Sequence, residues 1–450
     1  MPIDQQTHAQ RRRAVMDRIG PESAALFVAA PVVLRSHDTE YRHRQDSDFY
    51  YLTGVLEPDA VCLLLPAQPE GEEFVLFVQP RDPERESWAG ARMGVEGAVA
   101  RYGANVAYTL DELDEKILAY VGARERLYCC LTQPPELTAR ILGWLRQWRR
   151  QRPRSGQGPV ALCDPSTVVH ELRLFKDEQE LAAMRRAAAI AAAAHLTAMR
   201  AVRPGVCEYE IEALLDYTFR KQGAWGPAYP SIVASGSNAT VLHYTANDRV
   251  MQDGDLVLID AGAEFEGYCS DITRTYPVGP DFSGPQRDLY ELVLHAQLAA
   301  IEMIRPGVRV DEIHQHTVKL LVEGLVTLGV LAGNPAEIIE KEEYKQLYLH
   351  RTSHWLGLDV HDAGLYKIAG ESRLLEPGMV LTVEPGIYAG NQAQSVAAKW
   401  SGIGVRIEDD VLVTAAGHEV LSAAVPKSLA ELAAVRRWSR RARATPGGQV

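Results

Sequence analysis

One pattern occurs twice in this chain in fixed register, and a duplicated unit leaves few ways to fold. The first copy is Gly254-Asp255-Leu256-Val257-Leu258-Ile259-Asp260-Ala261-Gly262 and the second is Gly378-Met379-Val380-Leu381-Thr382-Val383-Glu384-Pro385-Gly386. Each is a glycine turn, an apolar run, an acid and a closing glycine, and all three landmarks are offset by 124 residues. A second acid follows each copy: Asp271 in Ser270-Asp271-Ile272-Thr273-Arg274, and Glu408 in Arg406-Ile407-Glu408-Asp409-Asp410. Upstream, Arg203-Pro204-Gly205-Val206 with Ile211 recurs as Arg305-Pro306-Gly307-Val308 with Ile313, at an offset of 102. The unit is therefore helix, turn, helix, then strands. Such a unit buries one face against its copy and forms one domain with a pseudo-two-fold axis. Four carboxylates can meet at that axis.

At 450 residues the chain is too long for one typical core. The expected architecture is an α/β N-terminal domain over residues 1–172 and an α+β C-terminal domain with the internal repeat over 173–450, the boundary falling between about Asp164 and Lys176. In the first domain, short apolar strands at 61–65, 74–78 and 126–130 alternate with helical stretches at 87–102 and 137–149. The Pro, Gly and Arg-rich run 149–159 reads as an exposed loop. A long helix begins near Asp177, with Glu180 completing a capping box. A second helix spans 208–222, stopped by Gly223, and the repeat places further helices at 285–304 and 310–328. The run 256–260 is apolar up to its acid, as in a strand buried on both faces.

Composition excludes several classes. The net charge of −12 argues against nucleic acid as a partner. The Ala-rich stretch 187–199 is too short to span a bilayer and reads as a packed helix, so no membrane is expected. No apolar segment follows Arg11, Arg12 and Arg13, so the start is not a secretory signal. Six cysteines without C-x-x-C spacing indicate neither a disulfide framework nor a thiolate zinc site, and point to the cytoplasm. The tail carrying Arg436, Arg437, Arg440, Arg441 and Arg443 around Trp438 reads as a solvated helix end with a frayed terminus. Gly402-Ile403-Gly404 runs into a strand pattern, not a phosphate-binding helix, and Ser235-Gly236-Ser237 lacks a nucleophile-elbow context.

A single acid at a strand end is commonly a turn residue. Recurrence in register changes this, because buried carboxylates cost several kcal/mol each unless cations neutralise them. Two divalent metals would balance four carboxylates. His354 and His361, seven residues apart around an apolar turn, add imidazoles beside the acids, and His243 precedes the first acid. Oxygen donors with one imidazole make a hard site, suited to Mn²⁺ or Mg²⁺.

These motifs resemble the pita-bread metallopeptidases, and within them the bacterial Xaa-Pro aminopeptidases (the aminopeptidase P family). The carrying segments are Asp260-Ala261-Gly262, Ser270-Asp271-Ile272-Thr273-Arg274-Thr275, His354 to Asp362, Val383-Glu384-Pro385-Gly386 and Gly404-Val405-Arg406-Ile407-Glu408-Asp409-Asp410. The stretch 38–54, which carries Asp38, is similar to that family's first domain. The resemblance implies two divalent ions, foremost Mn²⁺, with Mg²⁺, Co²⁺ or Zn²⁺ as substitutes. Asp271 and Glu408 would bridge them, Asp260 would chelate one, and His354 and Glu384 would complete the other. It also implies that His243 and His361 contact substrate near the scissile carbonyl and that Arg406 supports the ligand carboxylates. His350, Tyr229, Tyr388 and Asp38 join the substrate-facing or supporting group. A homo-oligomer, dimer or tetramer, is implied, with Trp88 contributing to a neighbouring site. Two departures stand out: Arg351-Thr352 replaces a small or apolar pair, and Cys269 falls, by strand alternation, on the side of Asp271.

The implied reaction is hydrolysis between an N-terminal residue and a following proline. A hydroxide bridging the metals would attack, His243 and one metal would stabilise the oxyanion, Glu384 would shuttle the proton, and His361 would hold the substrate. Metal binding can lower the pKa of water from about 15.7 to about 7. The rivals are a prolidase restricted to dipeptides, which Leu358-Asp359-Val360-His361-Asp362 disfavours, and a non-catalytic peptide-binding module, which the intact ligand set disfavours.

Overall fold

Apolar runs in the first third of the chain assemble one mixed sheet. In the computed structural model, which describes residues 3–131, 135–390, 393 and 396–435, its strand order is Val106–Thr109, Phe74–Val78, Val61–Leu64, Ser23–Val28, Arg126–Cys129, Ala161–Cys163. Leu26, Leu63, Val75 and Phe77 pack with Leu113, Ile117, Trp144 and Trp148 from the covering helices. The stretch expected as one helix at 87–102 is two, Pro83–Ala89 and Gly94–Tyr102. Asp82 caps the first, and Gly90 and Gly94 both have positive φ, 89° and 60°, which breaks the run between them. The loop expected at 149–159 is also corrected. The helix Pro135–Ser155 continues through Pro153, anchored by buried Trp144 and Trp148, and ends where Gly156 turns left-handed at φ 68°. Pro153 lacks the amide that would reach the Arg149 carbonyl, and only Arg154 and Ser155 follow it in the helix. By chain contacts the molecule divides into Met1–Arg173 and Leu174–Val450. The Arg-rich tail around Trp438 lies outside the described residues.

The second unit carries the duplication residue by residue. Asp177 accepts from the amides of Gln179 and Glu180, and Glu180 returns a bond to the Asp177 amide, starting the helix Glu178–Ala201. The helix Glu208–Lys221 follows, and Gly284–Glu302 with Val310–Thr327 repeats the pair. Gly205 and Gly307 share φ 87°, and their amides bond the carbonyls of Met251 and Leu375, each at 2.9 Å. The offset from 251 to 375 is again 124. In the first half Ile211 packs in one cluster with Val257 and Ile259; in the second, Ile313 packs with Leu381 and Val383. Each half thus lays its helices on a three-stranded antiparallel sheet. These sheets are Ile232–Ser235, Leu256–Asp260, Thr273–Pro277 and Val380–Val383, Asp409–Thr414, Gly417–Val420.

A buried ion-pair network joins the halves directly behind the acids. Arg274 and Asp409 are both wholly buried, with Nη2 to Oδ1 at 2.7 Å. Arg274 also bonds the carbonyls of Glu408, Val425 and Pro426, while Asp409 accepts from Lys427, Ser422 and Gln297. Further along, buried His195 meets the Ala261 carbonyl at 3.0 Å, backing the turn after Asp260. Burial lowers its pKa to about 4, so it is neutral in the fold.

Two outcomes follow from this framework. Arg274→Met strands Asp409 beside Lys427 alone and should destabilise the second unit by about 3–5 kcal/mol; urea unfolding that matches wild type would contradict it. For His195, unfolding restores an ordinary pKa near 6.5, so the unfolded chain binds the extra proton. Stability is then full above pH 6.5 and falls as pH drops from 6.5 toward about 4. His195→Gln should remove about 3 kcal/mol of that acid-side loss, read as a shallower fall of the urea midpoint with pH.

Candidate metal centre and active site

Each acid stands where a strand stops. Asp260 ends the fully buried strand Leu256–Asp260, and Gly262 follows because any side chain there would meet the Ser270 carbonyl. Asp271 sits in the break between Tyr268–Cys269 and Thr273–Pro277, its amide donating to the carboxylate of Asp410 at 3.1 Å. Glu384 follows Val380–Val383, its amide bonded to the Thr352 carbonyl at 2.9 Å. Glu408 lies between Gly404–Arg406 and Asp409–Thr414, with its amide on the Thr273 carbonyl at 3.1 Å. His354 belongs to an irregular segment docked on Val380–Val383: its amide donates to Thr382 Oγ1 at 3.1 Å and its carbonyl accepts from the Thr382 amide at 2.9 Å.

The side chains converge. Ligand atoms of Asp271, His354 and Glu408 all lie within 4.8 Å of one another. His354 Nε2 is 3.4 Å from Asp271 Oδ2 and 3.6 Å from Glu384 Oε1. Its Nδ1 meets the Trp355 carbonyl at 3.0 Å, which makes Nδ1 the protonated nitrogen and leaves Nε2 facing the acids. The Tyr229 hydroxyl lies 2.6 Å from Asp260 Oδ1 and 2.5 Å from Asp271 Oδ1. Arg406 donates from Nη2 to Asp260 Oδ2 at 2.6 Å, from Nη1 to the Tyr388 hydroxyl at 2.9 Å and from Nε to Thr273 Oγ1 at 3.1 Å. Thr273 Oγ1 in turn donates to Glu408 Oε2 at 2.6 Å. His350 Nε2 meets the Tyr388 hydroxyl at 2.8 Å, and its Nδ1 is 3.5 Å from Glu384 Oε2.

Charge is the unsolved quantity of this cluster. Burial, then the neighbouring acids Asp271, Glu384 and Asp260, hold the Glu408 carboxyl well above its ordinary range. Burial raises Glu384 to about 7 against the pull of His354 and Arg406. Burial also raises Asp260, although Arg406 opposes it. Burial alone would lower His354, but its contact with Asp271 and the charges of Glu384 and Asp271 raise it to about 9. These groups compete for protons because their own cations are too few. A divalent ion fits that deficit, and the donor set of carboxylate oxygens with one imidazole is a hard one.

The cluster floors a cavity of about 780 Å³. Asp260, Asp271, His354, Glu384 and Glu408 line it, together with Arg406, His350, His243 and His361. The His361 ring packs edge-on to His354, with centroids 4.4 Å apart. Tyr229 and Tyr388 act through bonds to Asp260, Asp271, His350 and Arg406 rather than from the cavity wall. Asp38 lies in the N-terminal unit, in an exposed turn between Leu34–Ser36 and Thr39–Glu40, and Trp88 in that unit is 88% exposed.

Sequence reasoning passed over Thr273, Thr382 and Asp410, which orient Glu408, His354 and Asp271. Alternation could have found Thr273: Thr273 and Thr275 continue from Asp271 at every second residue, and both bond the other half. The expectation for Cys269 is corrected. Its strand ends at Cys269, so the alternation does not carry on to Asp271, and the thiol donates to the Leu358 carbonyl at 3.6 Å, off the cavity wall. Of the unexpected pair, Thr352 is buried between His314 and Tyr348, whereas Arg351 reaches the cavity and pairs with Asp311.

Comparison with known proteins identifies the chain's relatives. Residues 182–415 match metallopeptidase family M24, and residues 8–128 match the aminopeptidase P N-terminal domain. The chain is 42% identical over 433 residues to Xaa-Pro aminopeptidase of Escherichia coli K12, covering 96% of this chain and 98% of the relative. It is 33% identical to human Xaa-Pro aminopeptidase 3, covering 96% and 85%. Among solved structures, aminopeptidase PepP of Pseudomonas aeruginosa superposes with a TM-score of 0.95 at 47% identity, over 98% and 99% of the two chains. Aminopeptidase P of E. coli with the inhibitor Pro-Leu superposes at 0.94 and 41%, over 98% and 100%. With four strand-end acids and one histidine converging in a duplicated frame, the chain belongs to metallopeptidase family M24, in its aminopeptidase P branch.

Proposed function

We propose that this enzyme is a Xaa-Pro aminopeptidase that removes the N-terminal residue from peptides with proline at the second position, using two divalent ions, foremost Mn²⁺. The convergence of five donor side chains on the floor of a cavity large enough for a peptide carries the reading. Its relatives at 42% and 33% identity bear that name. Asp260, Asp271, Glu384, Glu408 and His354 would hold the ions. When bound, such ions act as Lewis acids that make water a nucleophile at neutral pH and polarise a carbonyl.

The protein's own groups divide the remaining work. A prolyl nitrogen carries no hydrogen, so recognition cannot use that donor. His350, held by the Tyr388 hydroxyl, gives the wall beside Glu384 a surface suited to the pyrrolidine ring, since burial, then the charge of Arg406, lowers it to about 3 and keeps it neutral. Glu384 can take a proton at its carboxylate and pass it to the leaving prolyl nitrogen. His243, on the wall, donates toward the oxygen on which charge develops, and His361 orients the substrate. Arg406 and Tyr229 fix Asp260, so the carboxylates need not reorganise during the reaction. The enzyme is read as a cytoplasmic homo-oligomer.

Three measurements test this. Glu384→Ala should lower kcat on Xaa-Pro-Xaa tripeptides by at least about 10³-fold; near-normal turnover would remove its proton role. Cleavage of dipeptides but not tripeptides would make the chain a prolidase instead. Metal analysis of protein dialysed against Mn²⁺ should give two ions per chain, and Glu408→Gln should weaken binding by about 100-fold; unchanged binding would displace Glu408 from the ligand set.

A further inference from the structure

The most exposed part of the cavity wall carries a surplus of positive charge that the hydrolytic chemistry does not use. Arg351 and Lys367 both line the cavity and are exposed, and Asp311, half-buried, lines it with them. Arg351 Nη2 bonds Asp311 Oδ1, with 59% of the arginine side chain and 27% of the aspartate still exposed. Asp311 is itself held in place: it stands in the first turn of Val310–Thr327, and its amide donates to Ser372 Oγ at 3.0 Å. A guanidinium offers five donors in a fixed fork, so a pair through one nitrogen leaves others directed outward.

Position along a bound peptide follows from the chain. His350 Nδ1 meets the Arg351 carbonyl at 2.9 Å and lies 3.5 Å from Glu384, so the Arg351 backbone is anchored beside the reacting centre. Consecutive Cα atoms are about 3.8 Å apart, and an extended peptide advances about 3.3–3.6 Å per residue. A proline held against His350 thus leaves the residue after it in the same cavity as the long Arg351 side chain. Asp311 and Arg351 also line an adjoining cavity of about 380 Å³, so the pair stands where a chain leaves the catalytic cavity.

We propose that Arg351, buttressed by Asp311 and assisted by Lys367, is a specificity residue that selects peptides presenting a carboxylate immediately beyond the proline. That group could be the C-terminal carboxylate of a tripeptide or an acidic side chain at the third position. The inference rests on the aminopeptidase reading of the cavity and adds a preference to it.

The test uses the full-length, Mn²⁺-loaded enzyme and two matched pairs of peptides. One pair is Ala-Pro-Gly with a free C-terminus and its amide; the other is Ala-Pro-Asp-Gly amide and Ala-Pro-Asn-Gly amide. The expected result is a preference for the carboxylate member of at least one pair, by about three- to ten-fold and expressed in KM. Arg351→Gln should bring that ratio to about one, and Arg351→Lys should restore part of it. Preference in the first pair identifies the C-terminal carboxylate as the ligand, and preference in the second identifies the acidic side chain. Equal KM values within both pairs, or a preference that survives Arg351→Gln, overturn the inference while leaving the aminopeptidase reading intact. Failure to cleave any of the four peptides would instead overturn the reading beneath it.

Discussion

Mutual repulsion among four buried carboxylates is the constraint around which this molecule is built. Each would cost several kcal/mol to bury alone. The nearest resident cation, Arg406, gives one positive charge, and it is committed mainly to Asp260. Hydroxyls supply the rest of the local compensation: Tyr229 to Asp260 and Asp271, Thr273 to Glu408. Hydrogen bonds orient lone pairs but do not cancel net charge, so the cluster remains short of positive charge by more than one proton can supply. Protonation shows the strain in one way, with Glu384 rising to about 7 and Glu408 beyond the ordinary carboxylate range. Divalent ions would answer it in another, since a deficit of positive charge among oxygen donors becomes affinity for them.

A cluster of this kind needs a frame that does not relax apart. Residues 271–275 of the first half meet residues 406–410 of the second there, and the joining bonds each use a backbone group: Thr275 to the Arg406 carbonyl, the Glu408 amide to Thr273, the Asp271 amide to Asp410. Behind them the Arg274–Asp409 pair, with Lys427, Gln297 and Ser422, is fully satisfied and fully buried. One charged network is therefore complete and rigid while the adjacent one is incomplete and reactive. The burial of charge serves structure in the first and chemistry in the second.

Most of this frame was legible from the sequence because the repeat preserves spacing. Offsets of 102 and 124 placed Gly205 with Gly307 and Asp260 with Glu384, and the structure gives those glycines the same φ and the same bonding partners. Periodicity found the capping box at Asp177 and the buried strand Leu256–Asp260 for the same reason, since each is a local rule. The errors fell where tertiary packing overrode local chemistry. Pro153 remains in a helix that buried Trp144 and Trp148 anchor, and the thiol of Cys269 bonds the Leu358 carbonyl instead of lining the cavity. Thr273 and Asp410 were not singled out because their value lies in partners more than 130 residues away.

Two histidines on one segment show how finely those partners decide chemistry. His350 and His354 are four residues apart and both are largely enclosed, and for each the first effect of burial is to lower the pKa. Beyond that their neighbours differ in sign. Arg406 presses on His350 and takes it down to about 3, whereas Asp271 and Glu384 draw His354 up to about 9. The first imidazole therefore stays neutral at any physiological pH and can border an uncharged ring. The second holds a proton on the nitrogen that faces the acids, and a metal ion must displace that proton to bind. Metal uptake at this centre is thus coupled to proton release.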